Sequence, residues 1–154
     1  MAERDAPSAQ NVIAMGLAVA LPAAGAKKAA PAPRRLPPGF DPAKGFASFD
    51  DFKKAFGEAG PGQAWHHVVE QTINSGKFAP ELLHNPANVL RLPHGKGTIH
   101  AKISGYYSSK IPGLTGNKTV REWLSTKSFQ EQFDFGIDVI KQFGGSQYLP
   151  PHLR

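Results

Sequence analysis

The chain lacks cysteine altogether. That excludes a disulfide framework and any structural zinc held by thiolates, so a bound metal would have to use imidazole, amide, carboxylate or water. Acidic residues are missing from Leu82 through Arg121, with Glu81 and Glu122 standing just outside. The same window carries Arg91, Lys96, Lys102, Lys110, Lys118 and Arg121, and the whole chain sets 18 Lys and Arg against 12 Asp and Glu, a net charge of +6. Such a balance favours polyanionic partners, nucleic acid first and an acidic protein or membrane surface second. Long apolar runs are scarce. Val12 to Leu21 ends at Pro22 and falls short of the roughly 20 apolar residues a membrane-spanning helix needs, so stable membrane insertion is not expected. The run makes a poor signal peptide as well, because Glu3 and Asp5 offset Arg4 in the segment before it.

What is present divides the 154-residue chain into unequal parts. Residues 1–44 form a low-complexity segment of Ala, Pro and Gly punctuated by Lys27-Lys28 and Arg34-Arg35. Its Pro-rich end, Pro31 to Pro38, is expected to be an extended, disordered linker, since it has too little apolar area to offset chain entropy. Residues 45–60 predict an accessory helix and a boundary turn. Ser48 caps it, Asp50 and Asp51 sit in its first turn, Phe49, Phe52 and Phe56 share one face, and Gly57 ends it. The main domain is expected over 61–149, with 150–154 as a tail.

Within that domain, Trp65-His66-His67-Val68-Val69-Glu70-Gln71 reads as a strand. Neighbouring side chains in a strand point to opposite faces, so His66 and His67 serve one centre only where the strand ends or bends. There one ring would hold a cation while the next reaches a water beside it. Asn88 opens a second strand running to Pro93. After the turn Gly95-Lys96-Gly97, with Thr98 as cap, comes a helix that buries Ile99, Ile103 and Tyr106 and carries His100 on another face. His84 and His94 flank the second strand and read as exposed loop histidines. The remainder is helical: Thr119 with Glu122 and Ser128 with Glu131 form capping boxes, and Phe129, Phe133, Ile137 and Ile140 make a buried stripe closed by Gly144. The fold class is therefore α+β. The residues alone leave three functions open: a metal-dependent hydrolase, a basic nucleic-acid-binding module without catalysis, and a structural metal-binding or protein-interaction domain.

Taken together, Trp65-His66-His67, Asn88 and His100 resemble the HNH / endonuclease VII superfamily of nucleases, and more narrowly its WHH group of bacterial polymorphic toxin domains. The run Ile103 to Lys110 followed by Thr119-Val120-Arg121-Glu122-Trp123-Leu124 is similar to sequence beyond the last histidine of such toxins, and the resemblance covers about Pro61 to Gly145. It implies a ββα-metal core (a His-Me finger, treble-clef-like) with added C-terminal helices, clasping one divalent cation. In that scheme His66 and His100 ligate the metal and His67 is the general base. Asn88 hydrogen-bonds across the loop to orient His67, and Glu70 accepts from an imidazole and fixes its tautomer. Arg91, Lys96, Lys102 and Lys110 would grip flanking phosphates without regard to sequence. The implied activity is phosphodiester hydrolysis, of DNA in preference to RNA. The implied setting is a toxin delivered by a bacterial export system to the cytoplasm of a target cell, with a cognate immunity protein as partner. One departure stands out. Colicin-type nucleases place a further histidine one helical turn on, where this chain has Ser104, leaving two imidazoles with water and phosphate oxygens to complete the sphere. Imidazoles favour Zn, Ni or Mn, whereas an open, oxygen-rich sphere suits Mg.

Overall fold

A computed structural model describes residues 36–154. The low-complexity stretch read as disordered lies outside the described residues up to position 35. The described part of that stretch, 36–44, is not an unpacked linker. Leu36 and Phe40 pack against the core, and Phe40 stands edge-on to Phe129 and Phe133 with ring centroids 5.2 Å from each. The reason lies in composition: unlike the Ala/Pro tract before them, these two side chains have apolar area to bury. The carbonyl of Asp41 accepts from Asn85 Nδ2 at 2.9 Å, tying the segment to the main body. Leu153 packs on the same core, so the tail too is part of the folded unit.

The architecture is mixed α+β. The helices are α1 (Phe49–Phe56), α2 (Pro80–Leu83), α3 (Ile99–Tyr107), α4 (Val120–Leu124) and α5 (Phe129–Gln142), and the strands are β1 (Gln63–His67) and β2 (Val89–Pro93). The strands pair antiparallel with Trp65 opposite Arg91, His66 opposite Leu90 and His67 opposite Val89. Side-chain alternation then sorts the sheet into two faces. Ala64, His66, Leu90 and Leu92 share the face toward α3, which packs on β2. Trp65, His67, Val89 and Arg91 share the other, where α1 lies. Phe52 of α1 meets Trp65 edge-on at 5.2 Å and Phe49 meets His67 at 4.8 Å. Among the described residues no helix is long and apolar enough to cross a membrane.

Local signals account for most of these elements. Ser48 Oγ accepts from Asp51 N at 3.0 Å and starts α1. Both capping boxes form, Thr119 with Glu122 on α4 and Ser128 with Glu131 on α5. Thr98 stands at the start of α3, but its hydroxyl donates to the Gly95 carbonyl at 2.6 Å and does not cap the helix. Helix α5 buries the expected Phe129, Phe133, Ile137 and Ile140, and Phe135, Gly136 and Val139 as well. Gly136 permits a close approach: a Cβ there would lie 2.9 Å from the Val68 carbonyl oxygen and 2.7 Å from Val68 Cγ1. The longest helix is thus seated directly on the chain that leaves β1, one residue beyond the histidine pair.

Candidate active site

His66 and His67 are the last two residues of β1, so the strand's alternation sends them to opposite faces. They nonetheless border one open cleft of about 280 Å³ at the strand's end, together with Glu70, His100, Ser104 and Arg121. On the α3 side, the rings of His66 and His100 lie 5.4 Å apart, centroid to centroid, at 82°. Nδ1 of His100 is in turn 3.1 Å from Nδ1 of His94. On the α1 side, Nε2 of His67 is 3.2 Å from Nδ1 of His84. Each of the paired histidines in the sequence therefore has an imidazole partner from elsewhere in the chain.

Electrostatics keep these rings neutral. Burial lowers the pKa of His66 from 6.5 to about 3, with the nearby rings of His100 and His67 adding to the shift. Burial likewise lowers that of His67 to about 4, assisted by His84. His100 and His84 are also shifted down, chiefly by burial. Neutral imidazoles offer the lone pairs that a cation or a proton requires. Among the described residues no group of three or more His, Asp or Glu is gathered to hold a metal ion. The donor set on offer is two imidazoles, His66 and His100, with the exposed Ser104 one helical turn further along, and this fits a cation that takes its other ligands from water and substrate.

The low pKa values carry a stability consequence. An unfolded histidine binds a proton near pH 6.5, while folded His66 and His67 resist one until about pH 3 and 4. Their contribution is complete above pH 6.5 and is lost as pH falls toward those folded values. In EDTA, urea unfolding at pH 7, 6 and 5 should show each histidine costing about 0.7 kcal/mol between pH 7 and 6 and about 1.2 kcal/mol between pH 6 and 5, approaching a limit of about 1.4 kcal/mol per pH unit. A flat profile over that range would contradict the burial of these rings.

Two expectations drawn from the resemblance are corrected by the geometry. Asn88, wholly buried, does not hydrogen-bond His67. Its Oδ1 accepts from Val69 N at 2.9 Å, and its Nδ2 donates to the carbonyls of Val69 at 3.1 Å and Leu83 at 2.9 Å. With Val68 N donating to the Asn88 carbonyl at 2.8 Å, it extends the β1–β2 pairing past the histidines and fixes where the chain turns. Glu70 does not serve an imidazole, because both its oxygens are held by Arg121, from Nε at 2.6 Å and from Nη2 at 3.0 Å. Arg91, Lys96, Lys102 and Lys110 are exposed, but none borders the cleft. Arg91 lies on the face opposite His66, its guanidinium 4.5 Å above the Trp65 ring.

The structure also brings in residues the sequence reading set aside. His84 is buried against His67 and is no loop ornament; His94 is exposed, as expected, but bonds His100. The signal for His94 was legible: only the short turn Gly95 to Thr98 separates it from α3, so it must fold back over that helix's first turn. No comparable local signal marks His84, which lies 17 residues from His67. Arg121 is the cation that borders the cleft, and Nη1 donates to Ser108 Oγ at 2.9 Å. Comparison with family models, with curated proteins and with solved structures finds no match for this chain.

Proposed function

We propose that the protein is a metal-dependent endonuclease that hydrolyses phosphodiester bonds, of DNA in preference to RNA, as the effector domain of a bacterial toxin. The observation that carries this reading is the convergence of His66, His67 and His100 on one cleft, with His66 and His100 ring to ring. The antiparallel β1–β2 pair, joined through the short α2 and followed by α3 packed on β2, supports a ββα-metal core as its framework.

Within this reading His66 and His100 hold one divalent cation, with Mg, Mn, Ni and Zn as the candidates. When bound, it neutralises phosphate charge and stabilises the leaving oxygen. His67 takes the proton from the attacking water as the new P–O bond forms and the scissile one breaks. An anionic phosphate in the cleft raises the proton affinity of that ring and brings it closer to a working base. Arg121, held in place by Glu70 and Ser108, presents the rest of its guanidinium to the phosphate. Arg91, Lys96, Lys102 and Lys110 contribute a salt-sensitive attraction further out on the nucleic acid. Export to a target-cell cytoplasm and an acidic immunity protein as partner belong to the same proposal and rest on the resemblance.

The test is incubation of the purified protein with plasmid DNA and with total RNA, across several divalent metals, with and without EDTA. Cleavage that requires metal and stops in EDTA is expected; cleavage unchanged in excess EDTA would rule the mechanism out. The exposed cations taken alone favour a binding module without catalysis, which predicts salt-dependent binding, indifferent to His67→Ala, and no cleavage at all.

A further inference from the structure

The ring of His67 meets another ring. Its Nε2 faces Nδ1 of His84 at 3.2 Å, with centroids 5.3 Å apart and planes at 87°. Phe49 of α1 closes over both, edge-on to His67 at 4.8 Å and nearly parallel to His84 at 6.1 Å. His84 is itself anchored through its backbone, its N–H donating to the Pro80 carbonyl at 2.8 Å and its carbonyl accepting from Phe46 N at 3.1 Å. It also borders a second cleft with Ser48 and Thr72.

Two neutral imidazoles that share a hydrogen bond have coupled tautomers, because one proton lies between them. If His84 donates, His67 must carry its own proton on Nδ1 and offers no lone pair to a water. If His67 donates from Nε2, its Nδ1 is left unprotonated. Resting on the reading of His67 as general base, we infer that His84 is a positioning residue: it accepts the Nε2–H of His67 and so keeps the Nδ1 lone pair of that ring free of a proton. The role that the resemblance gives to an asparagine amide passes in this chain to an imidazole, since the amide of Asn88 is fully engaged by backbone groups.

Three variants separate positioning from packing. In His84→Asn the amide oxygen stands where Nδ1 stood and can still accept; in His84→Gln it stands nearer the place of Nε2; His84→Leu fills the space and accepts nothing. His84→Leu should lower kcat by at least about 10- to 100-fold, the range for losing a group that orients a metal-ligating histidine. KM and metal affinity should stay at the wild-type values, His84→Asn should recover most of the loss, and His84→Gln should not. A long-range proton–nitrogen NMR spectrum of the metal-free protein supplies a readout independent of cleavage. It should find His67 protonated on Nε2 in the wild type and in His84→Asn, and a mixture of tautomers in His84→Leu. Equal impairment of all three variants, wild-type rates in His84→Leu, or a proton on Nδ1 of His67 in the wild type would overturn the inference. A wild type inert with every metal would instead overturn the nuclease reading, and the tautomer would still decide whether His84 orients His67.

Discussion

His67→Ala should lower the proposed phosphodiester cleavage by about 10²- to 10⁴-fold, the range for removing a general base, and should leave divalent-metal affinity unchanged. The separation follows from strand parity. His66 faces α3 and His100, whereas His67 points to the other face, against Phe49 and His84. Deleting the His67 ring would therefore remove the proposed proton acceptor without touching the pair that would hold the cation. It also leaves His84 Nδ1 without a partner, so some loss of stability should accompany the loss of rate, and circular dichroism must show the variant folded at the assay temperature. Single-turnover cleavage of plasmid DNA together with calorimetric metal titration checks both halves. A folded variant that cuts at the wild-type rate, or one that no longer binds metal, would contradict this division of labour.

Asn88→Ala should destabilise the fold by roughly 3 kcal/mol or more, because it strands three buried backbone groups at once, each worth about 1–3 kcal/mol when left unsatisfied. Those groups are Val69 N–H and the carbonyls of Val69 and Leu83. Asn88→Asp is the sharper comparison. It keeps an acceptor for Val69 N–H but sets a carboxylate oxygen against two carbonyls, so it should be no more stable than the alanine variant. Were Asn88 acting only by orienting His67, both variants would unfold at the wild-type urea midpoint and lose cleavage alone. Coincident loss of stability and activity is expected, since the turn that Asn88 fixes is the one that brings His66 and His67 to a common cleft.

What the sequence made legible were the features set by near neighbours along the chain. Ser48, Thr119 and Ser128 announce helix starts because a cap and its N–H partner lie three residues apart. Phe129, Phe133, Ile137 and Ile140 announce a buried face because helical periodicity is local. The meeting of His66 with His100 was legible through the strand, strand, helix order. Contacts made across the chain left no such trace. Glu70 and Arg121 are 51 residues apart, and nothing in either neighbourhood marks them as partners. Phe40 reaches Phe129 from a segment whose Ala/Pro-rich approach suggested a linker. The placement of Arg91 is an intermediate case. Its charge was visible, but its face depends on the register that sets it opposite Trp65, and that register puts it away from His66.

Whether His66 and His100 together hold one divalent cation is decided by a calorimetric titration of Mn and Zn into His67→Ala and into that variant with His66→Ala or His100→Ala added. In that background cleavage should be strongly reduced, while the rings of His66 and His100 keep their places. One equivalent should bind to His67→Ala, and binding should be weak or absent once either partner ring is removed. One equivalent bound with unchanged affinity after loss of His66 or His100 would mean that the imidazoles meeting between β1 and α3 do not hold the cation.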